Sequence, residues 1–206
     1  MLTECDHLAY PVFEYNVCEV VFMYPKQDRI RFERLLRYRP TAVAVMAGSH
    51  SYPSINGTVK FYQTVYGVLV VTELEGLPVG MPNGLPNGMP IGHPIGRGMC
   101  EAPIFAFHIH DGNACTGNEA DPFANAGTHL NPYQCPHPYH AGDLPPLFGA
   151  GGMVFSATLT DRFTVEEILG KTVIVHSSFD DFTTQPAGNA GSKMACGKIV
   201  AVNGGY

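Results

Sequence analysis

The chain has 206 residues, enough for one domain with a sizeable core plus appendages, and its 15% of charged residues, 23 glycines and 17 prolines favour a turn-rich β class over a helical bundle. The formal charge is −6; residues 1–39 balance six acids with six bases, so residues 40–206 carry the whole excess, which gives no footing for nucleic acid. No apolar run reaches the roughly 18 residues of a membrane-spanning helix, so no membrane span is expected.

Residues 1–24 hold short apolar pieces without a period. They carry acids where a secretory leader needs bases, and the stretch 17–24 is short and interrupted by Glu19, so no signal peptide and a cytoplasmic location are expected. The even count of six cysteines (Cys5, Cys18, Cys100, Cys115, Cys135, Cys196) pulls the other way, because disulfides persist best outside the cytosol; an extracytoplasmic location stays open. Residues 26–39 hold six of the twelve Lys and Arg, which reads as a short helix or edge segment with a solvated basic face, or alternatively as an anion or partner patch. Residues 1–39 are set apart as an extension and 40–206 as the domain.

From Pro40 the texture changes to short alternating or β-branched runs, and 41–47, 57–64 and 67–75 read as the strands of an antiparallel meander. Residues 77–96 then repeat Pro-X-Gly five times at a period of four, a chain of surface turns in which His93 is expected to be solvent-exposed and not a ligand. Further strands are expected at 104–110, 153–160, 171–177 and 196–202. Thr164 and Glu167 have the spacing of a capping box and start one helical turn through Leu169. Two long aperiodic loops, 111–144 and 178–195, separate these elements, and loops of that length are functional or disordered. The expected fold is all-β: a Greek-key β-barrel or sandwich of about eight antiparallel strands, with the two long loops forming a metal site.

The metal is suggested first by Phe107-His-Ile-His110. On a strand His108 and His110 leave the same face, and six of the nine histidines fall between 108 and 176. One His-X-His by itself is as readily a pair of surface or satisfied core residues; six histidines with an aspartate point to metal. His137, His140 and Asp143 pack three ligands into seven residues, a spacing a folded loop wraps around one tetrahedral ion, with His129 as the fourth. His108 and His110, with His176 from another strand, suit copper. His129 is then wanted by both ions, and an imidazole deprotonated at both nitrogens bridges two cations.

These residues resemble the copper-zinc superoxide dismutases. The matching pieces are Phe107-His-Ile-His110, Thr128-His-Leu-Asn-Pro132, His140-Ala-Gly-Asp-Leu144, Gly170-Lys-Thr-Val-Ile-Val-His176, Asp180-Asp181 and Gly188-Asn-Ala-Gly-Ser-Lys-Met-Ala-Cys-Gly197, in the family's order. They span roughly 40–206, leaving residues 1–39 and the Pro-X-Gly insertion outside. The resemblance implies copper on His108, His110, His129 and His176, zinc on His129, His137, His140 and Asp143, and His129 as the bridging imidazolate. It implies that Asp180 ties a copper histidine to a zinc histidine, here His108 and His137, and that Cys115 and Cys196 form the intrachain disulfide. The implied activity is disproportionation of superoxide to dioxygen and hydrogen peroxide by cycling the copper ion beside a structural zinc ion, with catalytic roles for His129 and Lys193.

The chain also departs from the family's pattern. Lys193 stands where an arginine is usual, keeping the charge but losing the planar fork. Ala187 replaces a threonine, and only two residues separate His137 from His140. Loop 178–195 has no Lys or Arg before Lys193, so electrostatic steering of the anion is expected to rest on that residue and the metals. Cys100 and Cys135 form a second disulfide or leave a thiolate near the metal; Cys5 and Cys18 form another candidate pair. A homodimer is compatible with the family. The rival readings are a non-enzymatic copper carrier or chaperone on the same barrel, and a structural β-sandwich ordered by zinc.

Overall fold

A computed structural model describes residues 37–79 and 103–202. Most of the extension and of the Pro-X-Gly segment, with His93, Cys5, Cys18 and Cys100, lies outside the described residues. Eight strands run in chain order: β1 (Ala42–Gly48), β2 (Asn56–Thr64), β3 (Gly67–Glu75), β4 (Ile104–His110), β5 (Asp143–Phe148), β6 (Val154–Thr160), β7 (Thr172–His176) and β8 (Lys193–Ala201). One four-residue helix, α1 (Val165–Ile168), lies between β6 and β7, and Thr164 and Glu167 form the expected reciprocal capping box at its start.

All pairings are antiparallel and the sheet order is β5-β4-β7-β8-β1-β2-β3-β6. The meander β1-β2-β3 lies where the alternating runs put it, and β3–β4 and β6–β7 are the long Greek-key crossings. The edge strands β5 and β6 contact each other, which nearly closes the barrel. Phe61, Phe105, Ile109, Val173 and Ile199 point inward, each at 0% exposure, and burying one such side chain contributes about 1.5–3 kcal/mol.

Strand β5 is not among the expected strands; Asp143-Leu-Pro-Pro-Leu-Phe148 carries two prolines. Proline donates no ladder hydrogen bond, so it is tolerated at a sheet edge, where β5 sits. The prolines coincide with a register shift between β4 and β5. Strand β8 begins at Lys193, three residues earlier than expected. A second register shift, between β7 and β8, pairs His176 with Lys193 and so turns both toward the same cleft.

Candidate metal centre

Strand β4 has no wet face. Phe105, Phe107 and Ile109 fill the barrel, while His108 and His110 leave the other side, yet these too are 0% and 2% exposed, because the two long loops lie across them. The first loop returns to β4: Leu130 N–H donates to Ile109 O at 2.8 Å, Asp111 N–H donates to Thr128 O at 2.8 Å, and His129 forms a β-bridge with His110. That bridge aims the His129 ring between the strand histidines and the rest of the loop. Asp143, first residue of β5, lies opposite His108 in the strand register.

Two groups of four side chains result: His108, His110, His129 and His176, and His129, His137, His140 and Asp143. Within each group the candidate ligand atoms lie within 4.8 Å of one another, all seven residues are buried, and His129 belongs to both groups. In the first group His110 Nε2 lies 3.2 Å from His176 Nε2, and the His108 and His129 ring centroids are 4.0 Å apart. In the second, His129 Nδ1 lies 2.7 Å from Asp143 Oδ1, and His137 Nδ1 and His140 Nδ1 lie 3.0 and 3.3 Å from Asp143 Oδ2.

Asp180 orients one ring of each group. Its Oδ2 accepts from His108 Nε2 and its Oδ1 from His137 Nε2, both at 2.8 Å, which leaves both Nδ1 atoms as bare lone pairs. Backbone carbonyls do the same for two more rings of the first group: His110 Nδ1 donates to Gly127 O at 2.9 Å and His176 Nδ1 to Gly191 O at 3.4 Å. Gly188 is required beside Asp180. It has φ of +65°, and a Cβ there would lie 2.1 Å from Asp180 Oδ1 and 2.6 Å from His137 Nε2.

The donor set passes a direct test of fit to metal. His108 Nδ1, His129 Nε2 and His137 Nδ1 are buried without a hydrogen-bond partner; the short approach of His137 Nδ1 to Asp143 lacks hydrogen-bond geometry. Each such orphan costs about 1–3 kcal/mol unless something satisfies it, and a cation in each group does so for all three. Burial is the largest influence on the rings: it lowers His110 to about 3, His176 well below the usual value, and His108 and His140 below it. These rings are therefore neutral near pH 7, the state in which imidazole ligates. Burial pushes the Asp143 and Asp180 carboxyls up, but hydrogen bonds outweigh it, chiefly that from His129 to Asp143 and those from His108 and the Phe182 N–H to Asp180, and hold both below their usual values.

The loop half of the site is held by side chains that clasp backbone. Gln185 Oε1 accepts from His137 N at 3.0 Å and its Nε2 donates to His137 O at 2.7 Å. Asn131 makes the equivalent pair of bonds to Cys135, at 2.9 and 2.8 Å. From outside the loop, one guanidinium nitrogen of Arg162 lies 3.1, 3.3 and 3.0 Å from the carbonyls of Pro138, His140 and Asp143. Neither Gln185 nor Arg162 is among the expected site residues, and no spacing or periodicity marks them. Cys115 and Cys196 are joined by the expected disulfide. Among the described residues Cys135 has no disulfide partner; it is half-buried and belongs to neither metal-type group, and the partner expected for it, Cys100, lies outside the described residues.

A cleft of about 570 Å³ opens over His110, His129 and His176. Lys193 lines it, but its ammonium is not free: Nζ donates to Asp121 Oδ2 at 2.7 Å and to Phe123 O at 3.2 Å. Asp121 is absent from the sequence reading.

A nearly closed Greek-key barrel carrying two buried, histidine-rich groups that share one imidazole is the architecture of a two-metal oxidoreductase. The family model for copper/zinc superoxide dismutase (SODC) matches residues 96–199, and the chain belongs to that family. It is 31% identical over 156 residues to a Cu-Zn superoxide dismutase of Legionella pneumophila, covering 71% of this chain and 79% of the relative. To that of Photobacterium leiognathi it is 29% identical over 157 residues, covering 69% and 78%. The Cu/Zn superoxide dismutase structure from Brucella abortus shares the fold at a TM-score of 0.58 and 23% identity, over 76% of this chain and 98% of that one. Copper and zinc are the family's cofactors, and the two groups offer a place for each.

Proposed function

We propose that the protein disproportionates superoxide, with copper held by His108, His110, His129 and His176 and zinc by His129, His137, His140 and Asp143. The observation that carries this reading is the sharing of His129 between two buried groups, with its Nε2 left unpartnered on the side of the cleft-lining histidines. When bound, copper supplies a one-electron couple and zinc a fixed positive charge that is redox-inert.

The remaining chemistry belongs to the chain. One superoxide gives up an electron and leaves as dioxygen; a second takes an electron and two protons and leaves as hydrogen peroxide. His129 Nε2 is the atom placed to hold one of those protons, because Nδ1 of the same ring is turned toward Asp143. Asp180 keeps His108 and His137 from rotating, so little reorganisation accompanies each electron transfer. Lys193, hydrogen-bonded to Asp121 and Phe123 O, is the sole Lys or Arg among the described residues that lines the cleft the anion would enter. The Cys115–Cys196 bridge is of the kind that persists in an oxidising compartment. Among the described residues, no helix is long and apolar enough to cross a membrane.

The test is the rate of superoxide loss with copper- and zinc-loaded protein beside an identically loaded His110→Ala control. A fast, copper-dependent rate that the control lacks is expected. A rate no better than the control overturns the reading in favour of a copper carrier or a zinc-ordered structural domain.

A further inference from the structure

Lys193 is the sole Lys or Arg lining the cleft among the described residues, and Asp121 is the sole acid. The pair is a built feature of the structure. Asp121 Oδ1 accepts the backbone N–H of Phe123 at 3.0 Å, so the carboxylate is fixed to its own loop and cannot swing away freely. The backbone carbonyl of Asp121 accepts from Asn118 N at 2.9 Å and Ala124 N at 3.1 Å, which closes the loop around it. The Cys115–Cys196 disulfide then ties that loop to β8, the strand that begins with Lys193. Two charged groups on distant stretches of chain are thus held together by a covalent bridge, an Asx turn and a β-strand.

We propose that Asp121 is a positioning residue that sets the anion affinity of the cleft, holding the Lys193 ammonium against the loop wall and cancelling its charge. This rests on the superoxide reading of the same site and adds a control that the reading does not contain. An ammonium has three donors. Asp121 and Phe123 O occupy two, so one N–H at most is left for an incoming anion. Two effects of removing the carboxylate oppose each other: the lysine would be less well placed, but its charge would be released. The charge decides. An anion still approaching meets only the short dipole of an ion pair, whose field decays faster than that of a single charge, whereas Phe123 O and the strand still direct the ammonium after the carboxylate is gone. In this acidic chain, with no other Lys or Arg at the cleft among the described residues, that single charge is their contribution to steering.

Asp121→Asn is the variant of choice, because its amide oxygen can still accept from Phe123 N and the loop keeps its turn. Wild type, Asp121→Asn and Lys193→Gln, each loaded with copper and zinc and matched for metal content, are compared in two ways: kcat/KM for superoxide as a function of ionic strength, and affinity for azide read from the visible spectrum of the copper-loaded protein. Asp121→Asn is expected to raise kcat/KM about threefold to tenfold at low salt, to steepen its fall with salt, and to tighten azide by a similar factor, while Lys193→Gln weakens azide and flattens the salt dependence. An unchanged salt slope and azide affinity in Asp121→Asn overturns the proposal and leaves Asp121 a loop cap. A drop to the level of Lys193→Gln overturns it in the opposite sense, making the carboxylate an aid to binding. Azide affinity is measured without turnover, so it decides the role of Asp121 even if the wild-type protein proves not to dismutate superoxide.

Discussion

The two halves of the site are positioned by different means. His108, His110 and His176 stand on β4 and β7, neighbouring strands whose register and core packing fix the backbone beneath each ring. His137 and His140 stand on a loop, and their places depend on individual polar side chains: Gln185 clasping His137, and Arg162 facing three carbonyls around His140 and Asp143. A strand ligand inherits its position from a cooperative ladder. A loop ligand needs its own support, so the second half should fail piecemeal where the first fails only with the barrel. Asp180, bonded to one ring of each half, is where this division ends.

The largest effect should therefore come from striking the junction. Gly188→Val places a Cβ within 2.1 Å of Asp180 Oδ1 at a φ of +65°, so both rings lose their orienting carboxylate and the backbone is strained, for a stability loss on the order of 3 kcal/mol. Both metals should be lost on dialysis against a weak chelator, as metal analysis would show. Retention of copper with loss of zinc alone would mean that Asp180 serves one half only.

Acid should next probe the strand half in protein stripped of metal. Burial lowers His110 to about 3 and His176 well below its usual value, so the native state keeps these rings neutral while the unfolded chain protonates them from about pH 6.5 downward. The unfolded state then binds more protons, and stability falls as pH falls from about 6.5 toward the native value, by about 1.4 kcal/mol per pH unit for each such histidine. Denaturant melts of chelator-treated protein should lose stability between pH 7.5 and 5, and His110→Gln should flatten that slope. A slope that His110→Gln leaves unaltered would show that strand burial does not set the acid response.

Arg162→Ala tests the loop half alone. Zinc affinity should drop about tenfold while copper affinity stays within about twofold, read by competition with a coloured chelator for each ion. Equal weakening of both metals would mean that the loop and strand halves are a single unit and that the contrast between them is misplaced.

The same contrast explains what the sequence discloses. The proposed strand ligands stand out because β periodicity puts His108 and His110 on one face, and the β4 and β3 boundaries fall at the expected residues. The proposed ligands His129, His137, His140 and Asp143 stand out by residue type and close spacing, and the family's motifs add Asp180 and the Cys115–Cys196 bridge. What stays hidden acts through backbone or through charge across long sequence distance. Arg162 meets carbonyls, which every residue has; Gln185 reads the main chain of a residue 48 positions earlier; Asp121 meets Lys193 across 72 positions. No local pattern encodes those partners. Strand β5 is hidden for another reason, since its two prolines mimic a turn until the strand is known to lie at an edge.

Gln185→Ala should give the smallest effect. Its amide makes two bonds to the main chain of His137, as a paired strand would, at 3.0 and 2.7 Å. Losing two part-buried neutral hydrogen bonds costs about 1–3 kcal/mol at most, because water can take up some of the freed groups. The His137 ring keeps its bond to Asp180 Oδ1, so its tautomer is unaffected and only the freedom of its backbone grows. Zinc should therefore leave faster without binding much more weakly: a several-fold rise in the dissociation rate with an affinity loss below that of Arg162→Ala. Stopped-flow zinc release into excess chelator measures the first and equilibrium competition the second. A loss of affinity exceeding that of Arg162→Ala would place the main support of the loop at Gln185, on the side facing the second long loop and not on the outer side that Arg162 holds.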